Sequence, residues 1–212
     1  LADQEKPTST NLEYDDYNLG IKADFDTSKW YRNDLKSMPL PDPDVIEVGD
    51  TYYIYGTTDR TGSKTFDCYE TEDFNTFKIH MNIEETPSDY WGTKTMFAPE
   101  VYYYNNLYWL YYSDNSKETG LRYINVMTSE SPSGPFKPYK GKNAHNEDVD
   151  ASKEPLFRHN DSLALSALDQ TLLFDDDGSI YMYYSIYDTG IMQYIIGVEM
   201  LDPVTADWDT YK

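Results

Sequence analysis

The sequence has little cysteine, little positive charge and no long apolar run. Cys68 is the single cysteine among 212 residues, which excludes an intrachain disulfide and leaves the redox compartment open. No run of 18 apolar residues occurs, so no segment is predicted to span a membrane. The formal net charge is −21, from 17 basic and 38 acidic residues. Such a balance argues against nucleic acid and against an anionic membrane surface as partners.

Helical periodicity is also scarce, and only residues 161–168 fit a brief helix. Aromatic residues are abundant instead: 22 Tyr, 8 Phe and 4 Trp. Tyr and Trp suit half-buried strands because each joins an apolar body to a polar tip. Their rings also stack on the apolar faces of sugars, and a neutral polysaccharide is compatible with the acidic charge.

An internal repeat runs through the chain. Each unit is a short strand, a tight turn and a stronger aromatic strand, and the three units begin at Asp42, Ala98 and Asp169. Equivalent prolines and tyrosines of the first two units lie 56 residues apart. Further strands are predicted at 65–79 and 122–136, which makes four strands per unit. Four-stranded units at this spacing are typical of propeller blades, whereas a β-sandwich, the competing architecture, does not require repeated hairpins.

The predicted fold is therefore all-β and of the propeller type. Blades are expected near 40–95, 96–165 and 166–212, all within a domain at 21–212, and residues 1–20 form an N-terminal leader or arm. A closed propeller needs at least four blades. We therefore expect the remaining blades to come from sequence missing here or from another chain.

Two acidic residues open units of the repeat. Asp42 opens the first and Asp169 the third, where the second unit has Ala98. The innermost strand of each blade begins at the central channel, so these carboxylates should converge on one funnel. Inverting glycoside hydrolysis needs such a pair, with its acid and base roughly 6.5–9.5 Å apart to admit a water molecule.

Four stretches, in order and at blade spacing, resemble glycoside hydrolase family 43. They are Pro41-Asp42-Pro43-Asp44-Val45-Ile46, Phe97-Ala98-Pro99-Glu100-Val101, Ser129-Glu130-Ser131-Pro132-Ser133-Gly134-Pro135-Phe136 and Leu168-Asp169 followed by Phe174-Asp175-Asp176-Asp177-Gly178. The resemblance covers residues 40 to about 200 and implies a five-bladed β-propeller, of which this chain holds about three blades.

The resemblance also implies roles. Asp42 would be the general base, Asp169 would tune the pKa of the general acid and orient it, and Phe97 and Glu100 would contact the substrate. The implied enzyme is an inverting hydrolase of plant cell-wall pentose polysaccharides or oligosaccharides: an α-L-arabinofuranosidase, β-xylosidase or arabinanase. That substrate class implies a secreted or periplasmic protein.

Two departures from the family pattern keep alternatives open. Gln170 stands where the family often has Pro, and the family's Glu-Gly-Pro-like turn, which carries the general acid, is missing. Glu154 precedes the third unit and Glu199 lies in an alternating strand, so neither is assigned, and the acid is expected beyond Lys212. The alternatives are a non-catalytic carbohydrate-binding propeller, an inactive fragment, or a retaining fructosidase-like propeller, whose Arg-Asp-Pro motif does not occur.

No metal site is predicted, and the implied chemistry requires no cofactor, although a structural calcium ion is left open. Residues 175–177 are three consecutive aspartates followed by Gly, a pattern typical of a hairpin turn. His80, His145 and His159 show no ligand spacing. The last two lie in a polar insertion at 140–162, interpreted as a surface loop that could select substrate if it lies at the funnel rim.

Overall fold

The computed structural model describes residues 40–58, 65–158, 165–187 and 193–212, which belong to one compact unit. Their regular structure is β-strand, apart from a 3₁₀ helix at Trp208–Thr210. No helix in this part of the chain is long and apolar enough to cross a membrane.

The first repeat unit forms a four-stranded antiparallel sheet. Its strands pair in chain order: β1 (Asp44–Val48), β2 (Thr51–Thr57), β3 (Phe66–Thr71) and β4 (Lys78–His80). Gly49 turns the chain between β1 and β2 with a φ of 64°, in the left-handed region that glycine enters without steric cost.

The second unit repeats this topology. Its strands are β5 (Phe97–Tyr104), β6 (Leu107–Asn115), β7 (Arg122–Ser129) and β8 (Lys137–Pro138). Asn105 and Asn106 form the turn between β5 and β6 with φ values of 50° and 62°. Two successive positive φ angles are typical of a type I′ turn, whose twist matches the right-handed twist of the flanking strands. Asn tolerates such angles better than most residues.

A short hairpin separates the second sheet from the third. It consists of β9 (Lys140–Lys142) and β10 (Asp148–Asp150) and lies within the insertion interpreted as a surface loop. The third sheet pairs β11 (Ser166–Phe174), β12 (Ile180–Tyr187), β13 (Gln193–Asp202) and β14 (Thr205–Asp207) in chain order.

The second sheet is packed on both faces because its side chains alternate. On β6, Tyr111 points into a core shared with Met182 and Tyr184 of the third sheet. Its neighbours Leu110 and Tyr112 point into a second core, shared with the first sheet. Four-stranded sheets stacked face to face in chain order are the arrangement of propeller blades. The predicted all-β, propeller-type fold is thus confirmed, with three blades in the described residues.

Two local predictions need comment. The brief helix expected at 161–168 is wrong for 165–168: residue 165 is irregular and the last three residues begin β11, because pairing with β12 overrides the weak helical pattern. Residues 161–164 lie outside the described residues. The leader expected at 1–20 lies outside the described residues.

Candidate active site

The three residues that open the repeat units share an unusual backbone conformation. Asp42, Ala98 and Asp169 have φ values of 52°, 47° and 53°, a region that non-glycine residues seldom enter. In β5 and β11 the register with the next strand shifts at this point, between Phe97 and Glu100 and between Leu168 and Thr171. The equivalence derived from the sequence therefore extends to the backbone.

Asp42 and Asp169 are both exposed, and their charges interact. The pKa of Asp169 is raised, first by partial desolvation of its carboxyl group and then by the negative charge of Asp42. Arg122 acts in the opposite direction. The structure thus brings the two predicted catalytic carboxylates of the first and third blades within electrostatic reach of each other.

Phe97 is half-buried at the start of β5, one residue before Ala98. The Arg122 guanidinium lies 4.2 Å from the centre of the Phe97 ring, within the range of a cation–π contact. Arg122 also donates from Nε to Asn115 Oδ1 at 3.1 Å. The ring and the guanidinium together offer an apolar surface and a positive charge near Asp169. Sequence reasoning missed Arg122 because its predicted strand gave no sign that it faces the third blade.

Glu100 is half-buried and belongs to a network that joins the second and third blades. Its carboxylate accepts a hydrogen bond from the Tyr102 hydroxyl, which itself accepts from the Leu172 backbone N–H at 2.8 Å. Burial raises the pKa of Glu100, and the charges of Asp44 and Asp169 add to that effect against hydrogen bonds that lower it. Glu100 thus lies within electrostatic reach of Asp44 and Asp169, and its contact with substrate stays a prediction.

Asp44, two residues after Asp42, has a carboxylate that binds the backbone of the second blade. Its Oδ2 accepts from the Val101 N–H at 2.7 Å and so ties β1 to β5. Burial raises the pKa of Asp44 and outweighs the hydrogen bonds from the Val101 and Val45 N–H groups, which lower it. Sequence reasoning singled out only Asp42 because the partner of Asp44 is 57 residues away.

Within the part of the chain that is described, no three His, Cys, Asp or Glu side chains are grouped as a metal site. The Asp175 backbone carbonyl accepts from the Gly178 N–H at 3.0 Å, and the Asp177 carboxylate accepts from the Ser179 N–H at 2.9 Å, as in a turn. His80 instead contacts Glu70, 2.6 Å from its carboxylate. Cys68 is fully buried in the core between the first two sheets.

A separate cavity of about 440 Å³ lies between the insertion and the outer edge of the third sheet. It is lined by His145, Glu154 and Trp208, among others, and by none of the residues at the blade openings. Glu154 pairs there with Arg158 at 3.6 Å. His159, also in the predicted insertion, lies outside the described residues.

Comparison with known proteins places these residues in a family. A sequence model of glycosyl hydrolases family 43 matches residues 31–210. The extracellular endo-alpha-(1->5)-L-arabinanase 1 of Bacillus subtilis is 27% identical over 161 residues, covering 72% of this chain and 45% of that protein. Xylosidase/arabinosidase 43A of Humicola insolens is 27% identical over 190 residues, covering 81% and 50%. The chain thus spans about half the length of these curated relatives.

Comparison with solved structures agrees with the family match. A thermostable family-43 glycoside hydrolase is 28% identical with a TM-score of 0.60, over 77% of this chain and 50% of that one. An endo-1,4-beta-xylanase from Bacteroides thetaiotaomicron has the same identity and TM-score, over 82% and 52%. With a family match over most of its length and blades of the same type, the chain belongs to glycosyl hydrolases family 43.

Proposed function

We propose that the protein containing this chain is an inverting glycoside hydrolase of plant cell-wall pentose polysaccharides or oligosaccharides. One observation carries the proposal. Asp42 and Asp169 occupy equivalent openings of the first and third blades, both are exposed, and the charge of Asp42 raises the pKa of Asp169. A pair of interacting carboxylates at the mouth of a propeller is suited to glycoside hydrolysis.

In this mechanism Asp42 is the general base. It accepts a proton from a water molecule that attacks the anomeric carbon from the face opposite the leaving group. A separate carboxylic acid, supplied from outside these 212 residues, protonates the leaving oxygen. The negative charge of Asp169 raises the pKa of that acid and keeps it protonated near neutral pH. Phe97 forms an apolar wall, and Glu100 contacts a sugar hydroxyl.

The substrate class is proposed from the named relatives. An arabinanase and a xylosidase/arabinosidase are among them, so arabinan, arabinoxylan and xylan are the polymers to test first. Two relatives are named as extracellular enzymes, and we propose a secreted or periplasmic location for this protein as well.

We propose that further blades complete the propeller, supplied by additional sequence or by another chain. The third sheet supports this because one of its faces packs on the second sheet while apolar side chains of the other face are exposed. Leu173, Tyr183 and Ile195 are 49%, 42% and 76% exposed. In a propeller such a face is covered by the next blade.

The test uses the whole protein on aryl α-L-arabinofuranosides, aryl β-xylosides, arabinan and xylan. Proton NMR of the first sugar released should show the anomer opposite to that of the substrate. Release of the retained anomer would exclude the inverting mechanism. Binding of these polymers without any hydrolysis would favour a non-catalytic carbohydrate-binding propeller.

A further inference from the structure

Ala98 has no functional side chain, yet its peptide groups connect the blades that carry Asp42 and Asp169. Its N–H donates to Thr57 Oγ1 of the first blade at 3.0 Å. Its carbonyl oxygen accepts from Gln170 Nε2 of the third blade at 2.8 Å. The residue at the second blade's opening is therefore held from both sides by hydrogen bonds.

Both partners of Ala98 are adjacent to the predicted catalytic residues. Thr57 is 3% exposed, and because its oxygen accepts from Ala98, its proton is available to another acceptor. Asp42 Oδ2 lies 3.5 Å from that hydroxyl, farther than in an ordinary O–H···O hydrogen bond but close enough for a polar contact. The Thr57 N–H also donates to the carbonyl of Pro41 at 3.0 Å. Thr57 thus contacts the main chain before Asp42 and the side chain of Asp42 itself.

Gln170 directly follows Asp169 and is 1% exposed. Its Nε2 makes the bond to Ala98, while its Oε1 is buried and has no hydrogen-bond partner among the described residues. A buried amide oxygen without a partner reduces stability. An apolar side chain of similar length would avoid that cost, so the amide is poorly explained by stability alone.

We infer that Thr57 and Gln170 are positioning residues, which fix Asp42 and Asp169 relative to each other through the backbone N–H and carbonyl of Ala98. The inference rests on the proposed function and names two residues that would act without touching the sugar. Such positioning matters because the reaction rate is sensitive to geometry: misplacing a catalytic group by about 1 Å can cost on the order of 100-fold in rate. Without hydrogen bonds between the blades, the two carboxylates would not be held to within that distance.

The variants are Thr57→Val, which keeps the shape of the side chain and removes the hydroxyl, and Thr57→Ser, which keeps the hydroxyl. In the whole protein we expect Thr57→Val to lower kcat about 10- to 100-fold with little change in KM. Thr57→Ser should restore most of the loss.

Gln170→Met tests the other side of Ala98. It should lower kcat by a similar factor with little loss of melting temperature, because it removes the unpartnered oxygen together with the hydrogen bond. Since both residues hold the backbone of one residue, Ala98, from opposite sides, the double variant should lose less than the product of the two single losses. Unchanged kcat in folded Thr57→Val and Gln170→Met would overturn the inference.

A measurement that does not depend on enzymatic activity separates this inference from the proposed function. Hydrogen exchange of the Ala98 amide should be slow in the wild-type protein and in Thr57→Ser, and faster in Thr57→Val. Equal exchange in all three would refute the contact on which the inference rests. If exchange behaves as expected and the wild-type protein hydrolyses no glycoside, the proposed function fails while the contact between the blades stands.

Discussion

Replacing Asp42 with Asn should remove the general base and little else. Asn has the same shape and tolerates the left-handed backbone that Asp42 adopts at a φ of 52°. Asp42 is exposed, so no core packing is disturbed. The amide oxygen can still accept from Thr57, which lies 3.5 Å from Asp42 Oδ2. The change is thus confined to the charge and the basicity of one side chain.

The expected loss follows from the role of a base. General acid–base groups contribute about 100- to 10,000-fold, so kcat should fall by that factor, or by about 3–5 kcal/mol of transition-state stabilisation. The Asp42 charge also raises the pKa of Asp169, so the same variant should lower the Asp169 pKa. Desolvation, the larger cause, persists, and the pKa should stay above its ordinary value.

The assay is hydrolysis of an aryl arabinofuranoside or xyloside by the whole protein, with circular dichroism and thermal melting to confirm folding. Asp50→Asn is the matched control, because Asp50 is an exposed aspartate in the turn of the same hairpin. It should retain wild-type kcat. If Asp42→Asn is folded and as active as the Asp50 control, Asp42 is not the base.

Three further predictions concern pH and stability. Asp169→Asn should reduce kcat and leave stability at neutral pH unchanged or improved, since partial desolvation and the Asp42 charge disfavour the ionised Asp169. Burial raises the pKa of Glu84 to about 7. The protonated form of Glu84 therefore stabilises the wild-type fold fully below pH 4.5, and this contribution is lost as pH rises through about 7. The free energy of unfolding of the wild-type protein should fall by on the order of 3 kcal/mol over this range, and melting curves of Glu84→Gln should lack that decline. Tyr112→Phe should cost about 1–3 kcal/mol in chemical denaturation, because the buried Tyr90 hydroxyl loses a partner at 2.7 Å, while exposed Tyr183→Phe should cost little. A Glu84→Gln protein with the wild-type pH dependence, or a Tyr112→Phe protein of unchanged stability, would contradict these assignments.

The hairpins could be predicted from the sequence because their signals are local. Alternating aromatic strands flank turn residues such as Gly49, Asn105 and Asn106, and the structure has a hairpin at each. The β9–β10 hairpin was missed because its strands are only three residues long and polar, without an alternating apolar pattern. Its position depends on hydrogen bonds to residues of the second sheet. For example, the N–H of Tyr139, which directly precedes the hairpin, donates to the Val126 carbonyl.

For the site, the repeat predicted that Asp42, Ala98 and Asp169 are equivalent, and their similar φ values agree, because equivalent sequence predicts equivalent backbone. The contacts between the openings could not be predicted in this way. Thr57 meets Ala98 across 41 residues, and Gln170 meets it across 72, with no local pattern to mark either pair. Gln170 was noted only as a departure from a family pattern, and the structure shows that its amide binds the second blade.

The most direct test of the account is a crystal structure of the whole protein carrying Asp42→Asn with an arabino- or xylo-oligosaccharide bound. The account predicts a sugar ring at the blade openings, with a water molecule between residue 42 and the anomeric carbon on the face opposite the leaving oxygen. Asp169 should lie close to the carboxylic acid that faces this oxygen. A sugar bound away from the openings, or residue 42 in direct contact with the anomeric carbon and no room for water, would contradict it.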